Sequence, residues 1–124
     1  SDKAGIRFMS HLSILPTVFT RLDLLEQSLR DEGFEVRVNA CLNDVTGPPR
    51  PVDLLANWSD CRPIGWVTGS DGTVVMHGDL QRISLHGGLS HRLHRVSRRY
   101  ALLQALDDVQ QLSLSSGQVS VSPL

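Results

Sequence analysis

The chain has 124 residues, of which 40% are hydrophobic and 20% are charged, and its formal net charge is −1 at pH 7. This length fits one domain with a single core. The near-neutral balance excludes a generally basic protein that binds nucleic acid or anionic membranes through its whole surface, so either role would need a local patch. We expect a cytoplasmic protein, because the N-terminus lacks a secretory pattern and the apolar runs are too short to cross a bilayer.

The first third of the chain alternates extended and helical patterns. Residues 1–8 have no clear period and are predicted to be an N-terminal extension or an expression remnant, which leaves one α+β domain over 9–124. Spaced apolar side chains over 9–19 predict a first strand. Leucines at helical spacing after Thr20, a candidate N-cap, predict a helix over about 21–32.

Short strands separated by turns are predicted next. FEVRVNA, from residue 34, alternates apolar and polar side chains and predicts a half-buried strand. A Pro-rich loop over 42–51 separates it from VDLLANW, a further strand from residue 52. The tight turn GSDGT predicts that 64–68 and 73–77 form a hairpin.

The last third of the chain predicts a second helix and a terminal hairpin. The helix covers about 90–109 with Ser90 as its cap. Its apolar stripe recurs at steps of three and four and comprises Leu89, Leu93, Val96, Tyr100, Leu103 and Leu106. QLSLS and QVSVS alternate around Ser116-Gly117 and predict the hairpin. The resulting order, β-α-β-β-β-β-α-β-β, indicates the α+β class: an antiparallel sheet with two helices packed on one face.

Three stretches carry a family resemblance: MSHLS at 9–13, HGDLQR at 77–82 and RRYALLQAL at 98–106. Their order and spacing resemble the hypothetical chloroplast reading frame thirty-five family, a small protein family of cyanobacteria and plastid genomes with no assigned function. The resemblance implies a cytoplasmic protein, stromal in plastid relatives. It implies no reaction and no cofactor. The chain departs from the family pattern in its Pro-rich loop at 46–51.

Cationic side chains crowd the start of the second predicted helix. They are Arg92, Arg95, Arg98 and Arg99, whereas Asp107 and Asp108 lie near the predicted end, an arrangement that opposes the helix dipole. Three explanations stay open: arginines paired with Asp or Glu on the sheet, an acidic protein partner, or nucleic acid. The absence of interleaved aromatic residues disfavours nucleic acid. The leading hypothesis is a non-enzymatic accessory or assembly protein that binds an acidic protein partner through this flank, by electrostatic steering and bidentate carboxylate contacts.

The competing hypothesis is a small-anion-binding protein or an enzyme. Its pocket would lie at the N-terminus of the second helix, with Asp79, Gln81, His91 and Arg95 around it. Asp79 also has structural interpretations, since it could cap a short helical turn or pair with Arg99.

Motifs for catalysis and metal binding are missing from the sequence. No nucleophile elbow, phosphate loop or zinc-binding pattern occurs, so we expect no cofactor and no metal. Cys41 and Cys61 are expected to be reduced thiols. A predicted edge strand at 117–121 could pair two chains into a homodimer.

Overall fold

The structure, a computed structural model, describes residues 13–43, 48–59 and 61–120. Its strands are β1 (Ser13–Pro16), β2 (Glu35–Leu42), β3 (Arg50–Asn57), β4 (Ile64–Thr68) and β5 (Val74–Gly78). They form one antiparallel sheet in the order β1-β5-β4-β3-β2. The helices are α1 (Leu22–Asp31), α2 (Leu80–Leu85) and α3 (Gly87–Ser120). The predicted α+β class is therefore confirmed. The predicted order of elements from β1 to the long second helix is confirmed as well, and the short helix α2 is an addition to it.

The strands follow the local patterns of the sequence. The predicted hairpin is confirmed as β4 and β5, with Thr68 opposite Val74. Its turn is closed by the Gly69 amide, which donates to the Thr73 carbonyl at 2.7 Å. β1 is shorter than the predicted 9–19, and residues 9–12 lie outside the described part of the chain. Pro16 ends this strand at the edge of the sheet, where a missing amide donor is tolerated.

The first helix matches its prediction, but its cap does not. Arg21 is the N-cap residue and makes no side-chain cap bond, so the predicted role of Thr20 is wrong. The Tyr100 hydroxyl, from α3, accepts hydrogen bonds from the backbone amides of Thr20 and Arg21 at 3.0 Å each. A distant side chain thus satisfies the amide of the N-cap residue and the amide of the residue before it.

The main core lies between one face of the sheet and the helices. Trp66 of β4 is 1% exposed and packs in one cluster with Leu25 and Leu29 of α1, Ile83 of α2 and Val96 of α3. Because every helix contributes to this cluster, the sheet is covered on one face, as predicted. The apolar positions of the predicted stripe on α3 are buried or half-buried, except Leu106, which is exposed.

A smaller cluster covers part of the opposite face of the sheet, where Leu42, Val52 and Leu55 are buried. Gly65 also faces this side, and a Cβ atom there would lie 2.5 Å from a Val52 methyl group.

His77 is directly opposite Gly65 in the register and is buried. Burial first, and the charge of Arg50 second, hold the pKa of His77 below its ordinary value.

The last part of the chain differs from the prediction. α3 begins at Gly87 and continues to Ser120, so the second helix is longer than 90–109 and the terminal hairpin is wrong over the described residues. Ser90 lies inside the first turn, where its amide donates to the His86 carbonyl. A helix that is already formed extends by one hydrogen bond per residue, which offsets a weak alternation of Leu and Ser. The edge strand proposed for homodimer pairing is absent over 117–120.

Membrane insertion through a helix has no support in the described residues, since none of their helices combines the length and apolarity that a bilayer span requires.

Candidate interaction surface

The C-terminal end of α1 has a geometry that turns the chain sharply. Gly33 has a φ of +93°, which favours glycine. The Phe34 amide donates to the Leu29 carbonyl at 3.0 Å, and the Gly33 amide donates to the Arg30 carbonyl at 3.1 Å. These two bonds form a Schellman motif, which fixes Glu32 as the C-cap residue of α1.

Three arginines of α3 converge on the buried carboxylate of Glu32, which is 5% exposed. Glu32 Oε1 lies 2.9 Å from Arg95 Nε and 3.5 Å from Arg92 Nη1. Glu32 Oε2 lies 3.6 Å from Arg99 Nε. The three guanidinium groups stay a third to a half exposed, so they neutralise the carboxylate while they remain in contact with water.

The arginines outnumber the acids that face them. We use the name arginine cluster for Arg92, Arg95, Arg98 and Arg99. Asp31 contributes a second carboxylate, 4.0 Å from Arg99 Nε. Arg98 is exposed and forms no ion pair with any residue in the described part of the chain. Four cations therefore face two carboxylates, and a surplus of positive charge is left at the surface.

The charges of α3 do not oppose the helix dipole as predicted, because the helix begins earlier and ends later than 90–109. Because the helix spans Gly87–Ser120, its arginines lie beyond the first turn, and Asp107 and Asp108 lie well inside it. Helix-dipole effects fade within the terminal turns. The first explanation offered for the arginines, pairing with Asp or Glu on the sheet, is correct in part. Arg92, Arg95 and Arg99 do pair with acids. These acids lie at the C-terminal end of α1 and not on the sheet.

One member of the cluster also contacts an aromatic ring. The Arg92 guanidinium carbon lies 5.3 Å from the centre of the Trp58 ring, a cation–π distance. The same ring meets His86 edge-on, with centroids 5.9 Å apart. Trp58 thus holds Arg92 at the junction of α2 and α3.

Exposed apolar side chains continue the same side of α3. Leu102, Leu106 and Val109 are 53%, 53% and 59% exposed, and we call them the leucine stripe. They follow Arg95, Arg98 and Arg99 at steps of three and four residues, so both sets share one side of the helix. On another side of α3, Asp107 forms an ion pair with the N-cap residue of α1, in which Arg21 Nη1 lies 2.7 Å from Asp107 Oδ2. The Arg21 guanidinium donates hydrogen bonds to Asp23 first and to Asp107 second, and these bonds raise the pKa of Arg21.

The residues of the competing hypothesis do not come together. A cavity of about 470 Å³ does lie beside the start of α3, and Asp79, Arg82, His86 and Cys61 are among its lining residues. Of the four predicted residues, Asp79 is the one that lines it. Gln81 and His91 are exposed elsewhere, and Arg95 belongs to the arginine cluster.

Asp79 has the structural role that the sequence offered as one alternative. It is buried, caps α2 by accepting from the Arg82 amide at 3.2 Å, and forms an ion pair with Arg82 Nε at 3.3 Å. The predicted pairing with Arg99 is wrong, because Arg99 reaches Glu32 and Asp31 at the other helix. Among the described residues, no three His, Cys, Asp or Glu side chains are grouped as metal ligands.

Sequence reasoning missed Glu32 and the leucine stripe. A signal for Glu32 was present: Asp31 and Glu32 place negative charge at the C-terminal end of a helix, where the dipole disfavours it. The acids at the end of α1 form ion pairs with the arginines of α3, and these pairs explain why both sets of charges occur where they do. The stripe had no such signal, because Leu106 fits the buried pattern as well as an exposed one.

None of the comparisons with known proteins gives a match: no protein-family model fits the chain, and no similar curated protein or solved structure is found.

Proposed function

We propose that this protein is a non-enzymatic accessory or assembly protein that binds an acidic protein partner through α3. The observation that carries the proposal is the continuity of the arginine cluster with the leucine stripe on one side of this helix. A surface that combines surplus charge with exposed apolar side chains is typical of protein interaction sites.

The arginine cluster would supply attraction and orientation. Its surplus charge raises the rate of encounter with an acidic surface, an effect that salt screens. Arg92, Arg95 and Arg99 share the carboxylate of Glu32, so their positive charge is only partly neutralised before a partner binds. Arg98 has no intramolecular ion pair among the described residues and is the member best placed for a bidentate contact.

The leucine stripe sets the kind of partner. Leu102, Leu106 and Val109 extend over about two helical turns. An amphipathic helix with apolar residues on one side and Asp or Glu beside them would match both the stripe and the cluster. A second copy of this chain fits less well, because it would bring another surplus of positive charge to the same interface.

The small-anion alternative has weaker support. The arginine cluster borders a shallow cavity of about 270 Å³, but Glu32 is one of its lining residues. A buried carboxylate repels a small anion, whereas an extended acidic partner can contact the outer arginines and avoid it.

The resemblance to the plastid reading-frame family supports a cytoplasmic setting for the interaction, stromal in plastid relatives.

A synthetic peptide pair tests the proposal. One peptide is an amphipathic helix of about 15 residues with leucines at helical spacing and glutamates beside them, and its partner carries lysine at every glutamate position. Fluorescence polarisation is recorded at low and high salt. We expect the acidic peptide to bind, more weakly at high salt, and the basic peptide not to bind. Arg98→Glu should weaken binding about tenfold or more, as should the double change of Leu102 and Leu106 to Asn.

Matched variants define the outcomes. Arg37→Glu makes the same charge change at an exposed arginine of β2 and should leave the affinity unchanged. Equal binding of both peptides, or an Arg98→Glu variant that binds like the wild type, would contradict the proposal. Light scattering is the second readout: a dimer that the Leu102/Leu106 double variant dissociates would mean that a second copy covers the stripe, and the acidic-partner proposal would fail.

A further inference from the structure

We propose that a groove between α3 and the segment after β1 binds a small uncharged ligand with an apolar body and a carbonyl oxygen. The groove has a volume of about 390 Å³, within the range of small-molecule sites. Val18 and Phe19 border one side, Leu93 the other, and Trp66 and Met76 the floor. It lies on a different side of α3 from the leucine stripe, so it does not depend on the proposed partner.

The floor of the groove contains a polar group without a partner. The Trp66 ring is 1% exposed, and its Nε1 donates to no acceptor in the described part of the chain. Buried N–H donors are nearly always paired in native proteins, so an unpaired one calls for an explanation. An acceptor oxygen on a bound ligand would provide the missing partner.

The other lining residues indicate the ligand's charge. Ser90, His94 and Ser97 border the groove along α3, and no Lys, Arg, Asp or Glu is among its described lining residues. A carboxylate or an ammonium group would lose its hydration here without gaining an opposite charge. An uncharged acceptor such as a ketone or amide carbonyl avoids this cost, and the remainder of the ligand can contact Phe19 and Leu93.

Access to the indole nitrogen requires one side chain to move. Nε1 of this lining residue is buried, so a ligand oxygen in the groove reaches it only when a neighbour shifts. Met76 is half-buried and borders the same groove. Its unbranched side chain has several accessible rotamers and adapts readily to a new neighbour.

Proton–nitrogen NMR spectra test the proposal with three probes. The chain has two tryptophans, so two indole N–H signals are expected, and Trp58→Phe assigns them. We expect acetophenone to move the Trp66 signal downfield and leave the Trp58 signal in place. α-Methylstyrene, which replaces the carbonyl oxygen with a methylene group, should bind about fivefold more weakly and cause no downfield shift, since one hydrogen bond is lost. Benzoate, a carboxylate of similar size, should not bind.

Two serine variants give the matched control. Ser97→Phe fills the groove from α3 and should abolish the acetophenone response, whereas Ser84→Phe makes the same change on α2, outside the groove, and should retain it. The proposal is overturned if the Trp66 signal does not respond up to the solubility limit, if Trp58 responds in its place, or if α-methylstyrene binds as tightly as acetophenone. A response that survives Ser97→Phe would also overturn it.

Discussion

Replacement of Glu32 by Gln tests the contact that holds the arginine cluster together. A solvent-exposed ion pair contributes about 0–1 kcal/mol, whereas breaking a buried pair costs about 3–5 kcal/mol. Glu32 is buried, but the arginines around it are a third to a half exposed and can regain water. Gln keeps the size of the side chain and one acceptor. We therefore expect a loss of about 2 kcal/mol, between these two limits.

Urea denaturation followed by circular dichroism at pH 7 measures this loss. Thermal unfolding is a second measurement, and for a chain of this length its midpoint should fall by about 8 °C. Glu26→Gln is the matched control, because Glu26 pairs with Arg30 at 3.0 Å on the exposed side of α1, and this i,i+4 pair contributes about 0.5 kcal/mol or less. The reasoning is refuted if Glu32→Gln costs no more than Glu26→Gln.

Three further changes test other contacts. The pKa of His77 is lowered by burial and then by Arg50, so the unfolded chain binds the proton first; stability should fall as the pH drops below about 6.5, and His77→Phe should flatten that slope in urea titrations at several pH values. Tyr100→Phe removes the acceptor for two amides at the start of α1 and should cost about 1–2 kcal/mol by the same assay; an unchanged free energy of unfolding would contradict a stabilising role for these bonds. Gly65→Ala should cost about 1–3 kcal/mol by crowding Val52, and a Val52→Ala background should recover part of that loss; an unchanged loss would exclude the clash as the cause.

Local patterns were sufficient for most of the fold. The leucine spacing of α1 and the tight turn between β4 and β5 are decided by residues close in sequence, and both predictions are confirmed. The terminal hairpin failed because a helix that is already formed extends by one hydrogen bond per residue, and this outweighs the alternation of apolar and polar residues over 111–120. Leu112 and Leu114 are exposed, so burial does not decide between the two there.

The candidate site depends on contacts between residues that are far apart in the sequence. Four closely spaced arginines mark α3 in the sequence itself. Their partner Glu32 lies about 60 residues earlier and is identified only from the packing of α1 against α3. The cap that Tyr100 provides is 79 and 80 residues away from the amides it accepts from. Long-range pairs of this kind leave no periodicity in the sequence.

The affinity of the acidic peptide for three versions of the protein tests the proposed interaction most directly. Glu32→Gln removes a carboxylate that competes for the arginines, and Arg98→Glu reverses the charge of the arginine without an ion pair among the described residues. At one fixed low salt concentration, we predict that Glu32→Gln binds the peptide more tightly than the wild type and that Arg98→Glu binds it more weakly. Equal affinities for all three, in proteins shown to be folded, would contradict a binding role for this surface.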